Sequence, residues 1–172
     1  GMDHFALPDD ALAVAKRQGR LHRNFQGYTT QPDCDLIGLG VSSIGRVGAT
    51  YSQNAKTLAE YEDAVNRGEF PIVRGLALTR DDVVRRAIIM ALMCQGRLDY
   101  ESIELAYLVD MRKDFATEIE RLQPLAEMGL VRLSDTDIQV TPTGWFFVRG
   151  VAMVFDRHLQ GDKARERFSR II

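Results

Sequence analysis

The sequence predicts an α+β protein that is mainly helical. Two observations carry this. From residue 76 onward, apolar side chains recur at the spacing of amphipathic helices, and capping residues and glycines bound the runs. In that half, one pair of short strand-forming runs, 131–133 and 138–140, flanks the turn-forming Ser134-Asp135-Thr136-Asp137. Composition agrees with a folded domain, since 45% of the 172 residues are hydrophobic and 27% are charged.

Residues 1–50 are the least regular and are rich in glycine. Asp9 and Asp10 precede Ala11, Leu12, Val14 and Ala15, so a short helix is expected with acid at its positive end. Lys16, Arg17 and Arg20 suit the other end, and Gly19 suits its cap. Strand formers occupy 25–30, and Pro32-Asp33 marks a turn. Residues 36–44 set Leu, Ile and Val on a glycine-punctuated run, expected as a buried strand closely approached by neighbouring backbone. Residues 51–75 read as a connector with one helix over 56–66, stopped by Arg67-Gly68 and Pro71.

Thr79 is the expected N-cap of a long helix, with Asp81 and Asp82 in its first turn. Val83, Val84, Ala87, Ile88, Ala91 and Leu92 repeat along it, and Gly96 ends it. Ile89, Met90 and Met93 widen the apolar face, which places this helix at the centre of the core. Asp99 is expected to cap a helix over 100–108. Another follows Asp114, with a kink or break at Pro124 and an end at Gly129. The hairpin follows, closed by 141–144, and a last helix is expected over 145–159. Three helices, a two-stranded wing and a further helix make a winged-helix-like domain.

Charge and motif content exclude several roles. The 22 Lys and Arg against 24 Asp and Glu leave a formal charge of -2, so no global basic field exists. The helical segment 111–130 carries three cations against four anions, and the wing, 131–144, one against two. Phosphate contact dominates nucleic-acid affinity, so no nucleic-acid partner is expected. The longest apolar run, 87–94, is far too short to span a bilayer, and the opening residues show no secretory pattern. A cytoplasmic protein with no membrane partner is the expectation. Cys34 and Cys94 share no ligand spacing with His4, His22 or His158, so no metal site is expected and each cysteine reads as a small buried residue. Gly38-x-Gly40-x-x-Ser43 lacks the third glycine of a dinucleotide fingerprint. Two basic clusters, Lys16, Arg17, Arg20, His22 and Arg23, and Arg157, Lys163, Arg165, Arg167 and Arg170, read first as solvated faces or helix-dipole partners. These residues alone leave open a stand-alone winged-helix interaction module, either a DNA-binding regulator or a haem-binding accessory.

Longer stretches resemble one family. Met2-Asp3-His4-Phe5-Ala6-Leu7-Pro8-Asp9-Asp10 and Leu21-His22-Arg23-Asn24-Phe25-Gln26-Gly27-Tyr28-Thr29-Thr30 resemble the late catalytic barrel of oxygen-independent coproporphyrinogen III oxidases. Asp33-Cys34-Asp35-Leu36 through Gly38-Leu39-Gly40-Val41-Ser42 continues the match. Arg74-Gly75, Leu78-Thr79-Arg80-Asp81-Asp82 and Phe168-Ser169-Arg170 resemble that family's C-terminal region. The resemblance implies the C-terminal portion of a radical S-adenosylmethionine enzyme. Residues 1–50 are then the terminal strands and helix of a β/α barrel, 51–75 a connector, and 76–172 the winged-helix-like domain. The family oxidatively decarboxylates two propionates of coproporphyrinogen III, giving protoporphyrinogen IX in haem biosynthesis. Its cofactors are S-adenosylmethionine and a 4Fe–4S cluster on Cys-x-x-x-Cys-x-x-Cys. That motif is absent here. The chain by itself is therefore expected to hold no cluster, no bound cofactor, no catalytic residue and no activity. The family's contacts to a second S-adenosylmethionine, a Phe-Gln pair and a downstream isoleucine, fall on Phe25, Gln26 and Ile44. His4, on the expected barrel strand, is a further candidate for the pocket, although taken alone it reads as a structural histidine. The basic clusters are further candidates for holding propionates. Severed barrel strands expose edges, so residues 1–50 are expected to rearrange or to self-associate.

Overall fold

The computed structural model describes residues 6–32 and 34–161. Helix and strand are mixed, and the described residues divide into two units: 6–30 with 84–161, and those within 31–83.

Helix α1 (Ala11–Arg17) starts where the Asp10 carboxylate accepts a hydrogen bond from the Leu12 N–H. Strands β1 (His22–Asn24) and β2 (Gly27–Thr29) follow as an antiparallel hairpin. The strand expected over 25–30 is therefore interrupted at its start. The Asn24 side chain accepts a hydrogen bond from the Gln26 N–H at 2.8 Å, and Gly27 takes φ +138°. That local side-chain turn reverses the chain at Phe25-Gln26.

The second unit is an antiparallel sheet of β3 (Ile44–Val47), β4 (Thr50–Asn54) and, after helix α2 (Leu58–Asn66), β5 (Ile72–Ala77), in the order β3-β4-β5. Residues 51–75 thus supply most of two strands as well as the expected helix. The sequence hides β4 because Thr-Tyr-Ser-Gln-Asn carries no apolar alternation. The strand expected over 36–44 reduces to a bridge between Leu36 and Arg46 ahead of β3. The expected close approaches are present. A Cβ on Gly38 would stand 2.9 Å from the Ser43 Cβ and 3.0 Å from the Ile44 carbonyl. The buried Asn54 amide donates to the Gly38 and Gly40 carbonyls at 3.0 Å each and fixes the loop.

Helix α3 (Arg80–Gln95) opens with a reciprocal cap. Thr79 Oγ1 accepts from the Asp82 N–H at 3.2 Å, and the Asp82 carboxylate accepts from the Thr79 N–H at 2.9 Å. Gly96 ends it at φ +67°. Its width of apolar surface serves two clusters. Val84, Ile88 and Leu92 enter the main core, while Cys94 packs with Ala15 and Leu21. Strand β6 (Arg97–Asp99) then leads into α4 (Tyr100–Tyr107), capped as expected by Asp99.

A short helix that was not expected, α5 (Met111–Asp114), comes first, and the helix expected after Asp114 is in two pieces, α6 (Ala116–Arg121) and α7 (Gln123–Glu127). Pro124 sits in the first turn of α7, where its missing N–H costs nothing, so the break falls before it. Strands β7 (Val131–Leu133) and β8 (Asp137–Val140) form the expected hairpin, and β6 joins it in the order β6-β8-β7. The last helix, expected over 145–159, is divided into a 3₁₀ turn (Gly144–Phe147), α8 (Val148–Met153) and α9 (Arg157–Gly161). Asp156 causes the second break: its carboxylate accepts from the Leu159 N–H at 3.0 Å and caps a new helix. The break turns Phe155 fully into the core, with its ring 6.2 Å from that of Phe115.

The Arg85–Glu118 ion pair is largely buried in this unit. Arg85 donates to Glu118 at 2.7 Å and to the Phe155 carbonyl at 3.2 Å, with its guanidinium 5.1 Å from the Phe115 ring centroid. No helix among the described residues is long and apolar enough to cross a membrane.

Candidate functional site

Phe25 and Gln26 occupy the tip of the β1–β2 hairpin. The hairpin is tethered from behind: the Tyr28 hydroxyl donates to the Met93 carbonyl at 3.2 Å, and Gln95 donates to the Leu21 carbonyl at 3.1 Å. Arg23 lies over the Tyr28 ring at 5.3 Å, completing a firm base. On that base the Phe25 ring is 53% exposed. The Gln26 side chain is exposed and has no hydrogen-bond partner among the described residues. An aromatic face beside a free amide can pack on an apolar ligand surface and exchange hydrogen bonds with it.

Ile44 opens β3 in the other unit, half-buried and opposite Gln53. The loop before it is held in shape by Asn54 and by the Tyr61 hydroxyl, which accepts from the Gly40 N–H at 3.1 Å. Asn54 was not singled out by sequence. Its signal was a polar residue at the inner end of a strand, which only a buried partner explains.

His4 lies outside the described residues, as do Lys163, Arg165, Arg167 and Arg170 of the C-terminal basic cluster. The N-terminal cluster is dispersed into structural contacts. Lys16 places its ammonium 3.4 Å from the Trp145 ring centroid, Arg17 donates to the Pro8 carbonyl at 2.6 Å, and Arg20 bonds Gln18. Burial holds the Lys16 pKa below its ordinary value. At the wing, Asp137 accepts from Ser134 at 2.6 Å and Gln139 at 2.7 Å and lies 3.1 Å from Arg97. The Gln139 and Ser134 hydrogen bonds, with Arg97 nearby, hold its pKa below the usual carboxylate value.

The two cysteines differ in kind. Cys34 is exposed, against the expectation that both are buried, and Cys94 is buried. Burial pushes the Cys94 thiol up from 9.0 to about 11. A disulfide reagent at pH 8 is expected to modify Cys34 in the native chain and Cys94 only after unfolding. The neutral Cys94 thiol favours the fold, so its contribution is lost as pH rises from 9.0 toward about 11. Equal reaction rates of both thiols in the native state would contradict this. Among the described residues no group of three or more His, Cys, Asp or Glu is placed to hold a metal ion.

The family described as the HemN C-terminal domain matches residues 78–147, the segment from the cap of α3 through the 3₁₀ turn. Similarity extends beyond this segment to the whole chain. An oxygen-independent coproporphyrinogen III oxidase from Salmonella typhimurium is 48% identical over 172 residues, covering 100% of this chain and 38% of that protein. The Escherichia coli K12 protein of the same name is 49% identical with the same coverage. One from Helicobacter pylori is 43% identical, with 37% of that protein covered. The solved structure of Escherichia coli HemN, described as a radical SAM enzyme, superposes with a TM-score of 0.88 at 50% identity, covering 92% of this chain and 36% of that one. The chain thus spans less than two fifths of the length of these relatives.

Proposed function

We propose that this chain is the C-terminal part of an oxygen-independent coproporphyrinogen III oxidase. The observation that carries the reading is identity near one half, sustained over the whole chain, to proteins of that one activity. The parent enzyme converts coproporphyrinogen III to protoporphyrinogen IX in the cytoplasm. S-adenosylmethionine and a four-iron cluster supply its radical chemistry when bound. The residues present do not fit the cluster: Cys94 is buried among apolar side chains, and among the described residues no group of three or more His, Cys, Asp or Glu is placed to hold a metal ion. Cluster binding belongs to the part of the enzyme upstream of this chain.

The residues do fit a share in holding S-adenosylmethionine. Phe25 and Gln26 are offered on a braced turn, and Ile44 gives an apolar contact. We assign these three residues to a second S-adenosylmethionine. Residues 1–50 end the barrel, and the element order α3, β6, α4, α5 to α7, β7, β8 supports a winged-helix-like domain. That domain covers the barrel mouth and shields the radical from water. Arg97 of β6 and Arg112 of α5 are paired with the wing residues Asp137 and Asp135, which suits packing rather than phosphate contact.

Two measurements test this. Anaerobic iron–sulfide reconstitution of this chain alone is expected to give no stoichiometric cluster absorption and no oxidase activity. In the full-length enzyme, Phe25→Ala with Gln26→Ala is expected to abolish binding of the second equivalent of S-adenosylmethionine while leaving the cluster spectrum unchanged. A cluster on the isolated chain, or unaltered cofactor stoichiometry in the variant, would overturn the corresponding part.

A further inference from the structure

We propose that the sheet face carrying Ile44 binds a ligand carboxylate, and that Arg74 is the residue that grips it; this rests on the assignment of Ile44 to the ligand site. Directly opposed residues of antiparallel strands share a face, and neighbours along a strand alternate. Ile44 stands opposite Gln53, and Gln53 opposite Arg74. In the next row on that face, Arg46 stands opposite Tyr51, and Tyr51 opposite Leu76. The other face carries Gly45, Ser52 and Gly75 between these rows. The chain's own loop covers its β3 end: a Cβ on Gly45 would meet the Leu36 carbonyl oxygen at 3.0 Å and the Gly38 nitrogen at 3.3 Å. Asn54 on that side fastens the loop.

The Ile44 face carries two arginines, Arg46 and Arg74, and they differ. The Arg46 guanidinium donates to the Cys34 carbonyl at 2.6 Å and braces the loop. Arg74 is exposed and pairs with no described residue. A guanidinium takes a carboxylate through two parallel hydrogen bonds. Ile44, Tyr51 and Leu76 supply apolar surface beside it, so the face suits an amphipathic ligand with a carboxylate at its margin. In the proposed reaction that carboxylate is a propionate of the tetrapyrrole or the amino-acid carboxylate of S-adenosylmethionine.

The test compares Arg74→Gln, Arg74→Lys and Ile44→Asp in the full-length enzyme. Circular dichroism checks the fold, equilibrium binding reads S-adenosylmethionine affinity, and steady-state kinetics reads KM and kcat for coproporphyrinogen III. Arg74→Gln is expected to raise KM about ten-fold or more with kcat little changed, since a charge-assisted hydrogen bond to bound substrate is lost. Arg74→Lys, which keeps the charge without the fork, shows a smaller rise. A comparable loss of S-adenosylmethionine affinity instead makes the cofactor the source of the carboxylate. Unchanged KM and unchanged cofactor affinity in both Arg74 variants overturn the proposal. Ile44→Asp separates the two ideas. If it weakens cofactor binding while the Arg74 variants change nothing, only the Arg74 inference fails; if it changes nothing either, the assignment of Ile44 fails.

Discussion

Gly144→Ala is expected to lower stability by about 3 kcal/mol or more, and to bring the melting temperature down by roughly 6–12 °C. Gly144 is buried, and a Cβ there would lie 1.8 Å from the Leu130 carbonyl oxygen and 2.7 Å from its carbon. Those atoms are main chain and cannot rotate away. They are also pinned, because the Leu130 carbonyl accepts from the Thr141 N–H at 3.0 Å and the Thr141 hydroxyl donates to the Gly129 carbonyl at 2.8 Å. The same hydroxyl accepts from the Gly144 N–H at 2.9 Å, so one threonine closes the hairpin onto the glycine. Gly150 is the control, since it lies in α8 with nothing within 4 Å of a Cβ. Gly150→Ala is expected to be neutral or to stabilise by up to about 1 kcal/mol through helix propensity. Thermal melts followed by circular dichroism decide both, and an unchanged Gly144→Ala melt would refute the account.

Arg85→Met carries an expected loss of about 3–5 kcal/mol. The Arg85 and Glu118 side chains are only 16% and 12% exposed, so removing the cation strands a carboxylate away from water. The Phe155 carbonyl loses a donor, and the Phe115 ring loses the cation over its face. Much of the loss is the stranded charge, not the strength of the pair. Arg85→Met with Glu118→Met should therefore lose clearly less than the two single variants added together. Urea unfolding of the four proteins measures that coupling, and strictly additive losses would sink it.

What the sequence made legible follows from where side chains act locally. The caps at Thr79 and Asp99, and the stops at Gly96 and Gly129, are each set by a few neighbouring residues, and the structure holds them. The central place of α3 was legible too, because Ile89, Met90 and Met93 widen its apolar face beyond the Val84-Ile88-Leu92 line. Pairings at a distance were not. Strand β4 is polar because its partners β3 and β5, not its own composition, make it a strand. Asp156 looked like one charged residue inside a helical run, and only the Leu159 N–H reveals it as a cap. For the candidate site, Phe25, Gln26 and Ile44 came from resemblance. The turn that presents the first two depends on Asn24, whose role no periodicity signals. Arg74 was visible only as part of a matching dipeptide, because its row is a property of register across three strands.

The Lys16 contact gives the molecule a built-in optical gauge. Trp145 is the chain's one tryptophan. Its ring packs where Gly96 leaves no side chain, and the ammonium of α1 rests over its face. A charge that close to an indole alters the light it emits. The intrinsic fluorescence of this protein therefore watches the seating of α1 on the 3₁₀ turn together with the edge of the core against which Trp145 packs.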